Sequence, residues 1–193
     1  MSDPFASNYG TWRGAMRLAL AHAEVLTGLS GAVKPDPAKV RRLVFVCHGN
    51  ICRSAYADVL ARRAGMNVAS FGLSTSSDKP AWPAVSEIAA ARGVDMTPHR
   101  TTRIEDYVPL PGDYLLGMET RHLRKLAAHP LTAVLPRGLL GAYADPSYPH
   151  LHDPYQLGPA YMEVCLTRIE RAVAGLVRRY PASRLVERDI LMA

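Results

Sequence analysis

The sequence predicts an α/β fold: a three-layer sandwich on a four-stranded parallel sheet, preceded by an extra N-terminal helix. Three observations carry this. Four short strand-like runs recur along the chain, helical segments separate them, and a further helical pattern stands ahead of the first run behind a proline-rich linker. With 193 residues and 48% hydrophobic composition, the chain can bury one full core and still carry an extension.

The first element spans residues 9–29, where Trp12, Met16, Ala19, Ala23 and Leu26 recur at spacings of four and three with no proline between them. That is an amphipathic helix, and its apolar face needs cover from its own domain, from a second copy in a homodimer, or from a membrane surface. Residues 33–40, "VKPDPAKV", read as a linker because closely spaced prolines cannot continue a helix. The chain thus divides into an extension, 1–40, and a main domain, 41–193.

In the main domain "LVFV" (43–46) is the first strand, and "AYADVLARRAG" (55–65) is a helix that its glycine stops. "NVASFG" (67–72) is the second strand; "PAVSEIAAARG" (83–93) is a helix with proline at its start and glycine at its stop. "DYLLGM" (113–118) is the third strand, "ETRHLRKLAAH" (119–129) a helix, and "TAVLP" (132–136) the fourth strand. Residues 136–158 have no period and read as a long functional loop. The final helix, 158–180, carries the stripe Met162, Leu166, Ile169, Val173 and Leu176. Such a sheet is flavodoxin-like, and its ligands sit outside the carboxyl ends of the strands.

Composition narrows the function. The 23 basic and 17 acidic residues leave a formal charge of +6, which suits an anionic partner. Basic pairs such as Arg41-Arg42, Arg62-Arg63 and Arg178-Arg179 are scattered without interleaved aromatics, so nucleic acid is not expected. Three cysteines make an odd count and argue against a disulfide framework, pointing to a reducing, cytoplasmic setting. The polar N-terminus and the interruptions at Arg17, His22 and Glu24 leave neither a signal peptide nor a membrane span.

The chemistry concentrates in "VCHGNICRSA" (46–55), where the first strand ends. A loop leaving a strand for a helix turns successive backbone N–H groups inward, and the helix N-terminus adds positive charge, which makes an anion nest. Cys47 opens the loop, Gly49 frees its backbone, and Arg53 closes it, with five residues between it and the cysteine, able to grip two phosphate oxygens. A thiol beside a helix N-terminus and an arginine is held as the thiolate, a nucleophile aimed at phosphorus, and Ser54 is placed to stabilise the sulfur when it leaves. Metal binding is not expected, because zinc needs about four ligands and Cys47 and Cys52 have no second pair nearby.

"CHGNICRSA" resembles the phosphate loop of the low-molecular-weight protein tyrosine phosphatases, which carry C-x-G-N-x-C-R-S. The resemblance spans about residues 42–179. It implies a metal-free, cofactor-free hydrolase with Cys47 as nucleophile, Arg53 and the backbone of His48, Gly49, Asn50, Ile51 and Cys52 around the phosphate, and Cys52 as a redox guard of Cys47. By the same analogy Asp153, in "HDPYQLG", is the general acid, and Tyr155 forms an aromatic wall with Trp82 at the rim. His99, in "GVDMTPHRTTR", would hold Asn50. A second Asp-Pro, Asp145-Pro146, is the alternative acid.

The sequence departs from the family at Ala55, where proline is usual, at "SFGLST" in place of Ser-Ala-Gly-Thr, and at Glu119 in place of aspartate. Related arsenate reductases need further relay cysteines, and only Cys165 remains; phosphoarginine phosphatases tend to carry threonine where Ile51 stands. A binding module without catalysis would lack the nucleophile or the acid. The partner implied is a phosphotyrosine protein, a bacterial tyrosine kinase among the candidates.

Overall fold

A computed structural model describes residues 3–185; residues 1–2 of the extension and 186–193 of the main domain as divided above lie outside the described residues. Two N-terminal helices, α1 (Pro4–Tyr9) and α2 (Trp12–Leu26), precede β1 (Arg42–Cys47), α3 (Arg53–Arg63), β2 (Val68–Gly72) and α4 (Pro83–Ala91). Then follow β3 (Asp113–Gly117), α5 (Thr120–Ala128), β4 (Arg137–Leu139) and α6 (Pro159–Arg179). The strands pair in parallel in the order β2-β1-β3-β4.

The three layers follow from the strand period of two. Leu43, Phe45 and Cys47 of β1 join the core that includes residues of α3, α4 and α6, while Val44 and Val46 pack with Phe71, Leu115, Leu123 and Leu126 on the α5 side. Both faces are buried, so β1 reads as a continuous apolar run, each large side chain contributing about 1.5–3 kcal/mol. The predicted stripe of α6, Met162, Leu166, Ile169, Val173 and Leu176, is buried along its length. Chain order reverses between β1 and β3, which opens a crevice at their carboxyl ends.

The fourth strand lies elsewhere than expected. Residues 132–136 form turns, because Thr132 folds back and its hydroxyl donates to the Leu126 carbonyl at the end of α5 (2.7 Å). The strand is Arg137–Leu139, inside the segment read as an aperiodic loop. Its outer edge is not open: Val33 and Arg137 exchange backbone hydrogen bonds at 2.7 and 3.0 Å. The linker therefore starts by covering a sheet edge, and Pro37–Lys39 add a 3-10 turn.

The N-terminal helix is corrected in two ways. It is broken between Tyr9 and Trp12, where Thr11 starts α2 by accepting a hydrogen bond from the Gly14 N–H (3.1 Å). It packs on its own chain, but by the opposite face: Gly14, Ala21 and Glu24 are buried, whereas Trp12, Met16 and Leu26 are 59%, 59% and 86% exposed. The groove beside α6 leaves no room for large side chains; a Cβ on Gly10 would lie 2.8 Å from Leu157 and 3.0 Å from Tyr161. Among the described residues no helix is long and apolar enough to cross a membrane.

Candidate active site

At the carboxyl end of β1 the chain turns through residues 48–52 into α3. The left-handed position of this turn is Asn50 (φ 53°), not Gly49, where an added Cβ would meet only Ile51 at an ordinary 3.4 Å. Asparagine is among the few side chains that tolerate such a conformation, and Asn50 is fixed on every side. Its side-chain N–H groups donate to Ser54 Oγ (2.9 Å) and Ser70 Oγ (3.1 Å), and its Oδ1 accepts from the Thr102 N–H (2.9 Å). His99 Nε2 donates to its carbonyl oxygen (2.8 Å). Burial holds the His99 imidazole below the usual histidine range, against the contrary pull of that hydrogen bond.

Because Asn50 donates to Ser54, the serine hydrogen is left for Cys47 Sγ, 3.0 Å away. The Asn50 N–H also donates to that sulfur (3.2 Å). Ser70 in turn donates to Asp58 (2.7 Å), so a run of hydrogen bonds reaches from α3 to the sulfur. The "SFGLST" departure keeps both groups that support the loop: Ser70 holds Asn50, and at Gly72 a Cβ would lie 3.0 Å from the His48 carbonyl.

Arg53 is 1% exposed at the first position of α3. One terminal nitrogen donates to Glu119 Oε1 (2.7 Å) and to the Leu151 carbonyl (2.8 Å), and the other pairs with Asp153 Oδ2 (2.7 Å). Its Nε is buried without a partner among the described residues. Burial alone would push the Glu119 carboxyl up; the Arg53 guanidinium overrides it, with His122 and Arg121 assisting, and holds the group well below the usual carboxylate range. Glutamate thus does at this position what a shorter carboxylate would do, binding the buried arginine.

A cleft of about 240 Å³ opens above the loop, lined by Cys47, His48, Gly49, Ile51, Cys52 and Arg53 and, from other segments, by Asp153, Tyr155 and Lys79. Of the two Asp-Pro aspartates, Asp153 lines this cleft and Asp145 lies exposed outside it. Tyr155 is 40% exposed, and Trp82 stands behind it edge-on, ring centroids 4.8 Å apart, so Trp82 shapes the wall without lining the cleft. Cys52 is buried on the same loop, which pushes its thiol up.

Sequence reasoning missed Lys79, Ser74 and Thr75 in the cleft lining and did not assign Glu119 a site role. A carboxylate standing where the family keeps one was the available signal for Glu119; the others sit on an irregular segment with no period. A larger cavity of about 810 Å³ lies on the far side of the loop, lined by Asp58, Ser70, His99 and Arg100. No cysteine lines it, so size does not locate the chemistry. Among the described residues no group of three His, Cys, Asp or Glu side chains is arranged to hold a metal.

Residues 42–188 match the family model described as low molecular weight phosphotyrosine protein phosphatase. The chain is 31% identical over 146 residues to the "Probable low molecular weight protein-tyrosine-phosphatase EpsP" of Ralstonia solanacearum, covering 74% of this chain and 98% of that one. It is 32% identical over 135 residues to the low molecular weight protein-tyrosine-phosphatase Wzb of Salmonella typhimurium, covering 68% and 88%. Among solved structures, the tyrosine phosphatase amsI of Erwinia amylovora superposes with a TM-score of 0.65 at 24% identity, over 76% of this chain and 97% of that one. The YwlE arginine phosphatase of Geobacillus stearothermophilus reaches 0.61 at 19% identity, over 72% and 91%. Likeness at such identities shows the common fold, and the family match begins only after α2.

Proposed function

The chain belongs to the low molecular weight phosphotyrosine protein phosphatase family, and from that premise we propose that it hydrolyses phosphotyrosine in a protein substrate through a phosphocysteine intermediate. One observation carries the reading: Cys47, Arg53 and Asp153 line a single cleft while the Arg53 Nε lacks a partner among the described residues. A phosphate seated in the loop would give that donor its acceptor, together with the backbone N–H groups of residues 48–53.

In the first step the Cys47 thiolate attacks phosphorus, the bond from phosphorus to the phenolic oxygen breaks, and the protonated Asp153 carboxyl delivers its proton to that oxygen. In the second step the Asp153 carboxylate takes a proton from water, whose oxygen attacks phosphorus. The bond from phosphorus to sulfur then breaks, and Ser54 donates to the returning thiolate. Arg53 balances the charge on the equatorial oxygens in both steps, and no cofactor takes part.

Tyr155, backed by Trp82, offers a flat wall to an aryl ring, which favours phosphotyrosine over phosphoarginine. The relatives named tyrosine phosphatases support the same class, and a bacterial tyrosine kinase is one candidate protein substrate. The test is hydrolysis of a phosphotyrosine peptide by wild type, Cys47→Ser, Asp153→Asn and Asp145→Asn. Cys47→Ser should lose essentially all turnover, Asp153→Asn about 10²-fold or more, and Asp145→Asn little. Full activity in Cys47→Ser would sink the mechanism, and a loss in Asp145→Asn with none in Asp153→Asn would reassign the acid.

A further inference from the structure

The stretch that carries Asp153 is held from two sides. On one side Leu151 donates its N–H to the Met118 carbonyl (2.9 Å) and accepts from Arg53 (2.8 Å), which ties the stretch to β3 and the phosphate loop. On the other side the holding is done by residues that precede the family match. Gly10 and Gly14 bring the N-terminal backbone so close that an added Cβ would lie 3.1 and 3.0 Å from His152 Cδ2. Thr11 Oγ1 lies 3.2 Å from His152 Nε2, within hydrogen-bond distance.

The extension is also fastened at a second point. The Asn8 carbonyl accepts from Arg168 (2.7 Å), whose guanidinium lies 3.6 Å over the Tyr148 ring. His152 immediately precedes Asp153, and its carbonyl accepts from the Tyr161 hydroxyl (3.3 Å). Its Nδ1 is buried without a partner among the described residues, so the polar contact that orients the ring is the one with Thr11.

We propose that the N-terminal extension braces the acid loop, with Thr11 as a positioning residue that acts through His152 to set the Asp153 carboxyl at the leaving-group oxygen. The inference rests on the assignment of Asp153 as general acid. Displacing that carboxyl leaves Cys47 in place and Arg53 still held by Glu119 and the Leu151 carbonyl, so the loss falls on substrates whose leaving oxygen most needs a proton. Phosphotyrosine expels a phenolate whose conjugate acid has a pKa of about 10. A nitrophenolate delocalises its charge and needs the proton less.

The experiment measures kcat/KM of the full chain on a phosphotyrosine peptide and on p-nitrophenyl phosphate. Thr11→Val and His152→Phe should each lower the peptide value about tenfold and the nitrophenyl value less than about twofold. Thr11→Ser, which keeps the hydroxyl, should restore the wild-type ratio, and the double variant Thr11→Val/His152→Phe should fall no further than the worse single. Thr11 also caps α2, so His152→Phe, which leaves that cap intact, keeps the test valid if Thr11→Val unfolds. Equal losses on both substrates, no loss, or simple addition in the double variant would overturn the brace. Asp153→Asn serves as the reference: if it leaves the ratio of the two substrates unchanged, the acid assignment itself fails.

Discussion

Between Cys47 and Ser54 the chain is held through inward polar contacts: the sulfur by Ser54 and Asn50, Asn50 by four partners, and Arg53 by two carboxylates and a carbonyl. Between Phe5 and Leu26 the chain packs by close approach of small residues, with Gly10 and Gly14 against His152, Leu157 and Tyr161 and with Trp12, Met16, Leu20 and Leu26 of α2 turned outward. In the loop, removing one polar atom strands another in a dry interior. In the extension, added volume is what the packing cannot absorb. The two regions are therefore sensitive to opposite kinds of substitution.

Matched ion pairs test this most strongly. Glu119 and its partner Arg53 are both 1% exposed, whereas Glu24 of α2 pairs with Arg124, whose side chain is 57% exposed. Glu119→Ala leaves a buried guanidinium short of its carboxylate and should cost about 3–5 kcal/mol in urea unfolding. Arg124→Ala should cost less than about 1 kcal/mol, since water screens the pair at the exposed guanidinium and takes its place beside Glu24 once it is removed. Similar losses for both would erase the contrast.

The pH dependence of stability comes next in size. Burial pushes the His122 imidazole down to about 3 and His150 down to about 4, from an ordinary 6.5. His122 also accepts the Met118 N–H on Nδ1 (3.2 Å), a bond that protonation there would break. Below 6.5 the unfolded chain binds protons that these two groups refuse in the fold. Stability should therefore be highest above about pH 6.5 and fall as the pH drops toward 4, by about 3 kcal/mol for each histidine. Denaturation midpoints between pH 7 and 4.5 measure it, and His150→Gln should flatten the slope. An unchanged slope would mean that His150 takes up its proton without unfolding the chain.

The same division explains what was legible in the sequence. The turn from β1 into α3, the ends of α3 and α4 before Gly65 and Gly93 (φ 76° and 69°), and the α6 stripe are local patterns, and each lies where the residues indicate. The fourth strand was not, because Arg137–Leu139 is short and exists through pairing with β3 and the cover of Val33, both distant in sequence. Gly49 looked like the free backbone position, yet Asn50 occupies it, and only its four partners reveal why. Periodicity in α2 marked an apolar stripe, but that stripe faces outward, because the buried side is chosen by the shape of the groove.

The smallest expected effect separates the two faces of α2. Met16→Ser and Leu20→Ser remove side chains already 59% and 57% exposed, so little apolar surface changes its environment on folding. Each should alter unfolding stability by no more than about 0.5 kcal/mol. Gly14→Ala adds a single methyl, which in an open helix would help, but its Cβ would lie 2.1 Å from the Tyr9 carbonyl and 3.0 Å from His152. The backbone must move to admit it, at a cost of about 1–3 kcal/mol. If instead the serine variants were the costly ones, by more than about 1 kcal/mol, the outer stripe would be covered in solution. Dependence of that loss on protein concentration would then identify a second copy as the cover, and independence would mean that α2 seats its large side chains inward.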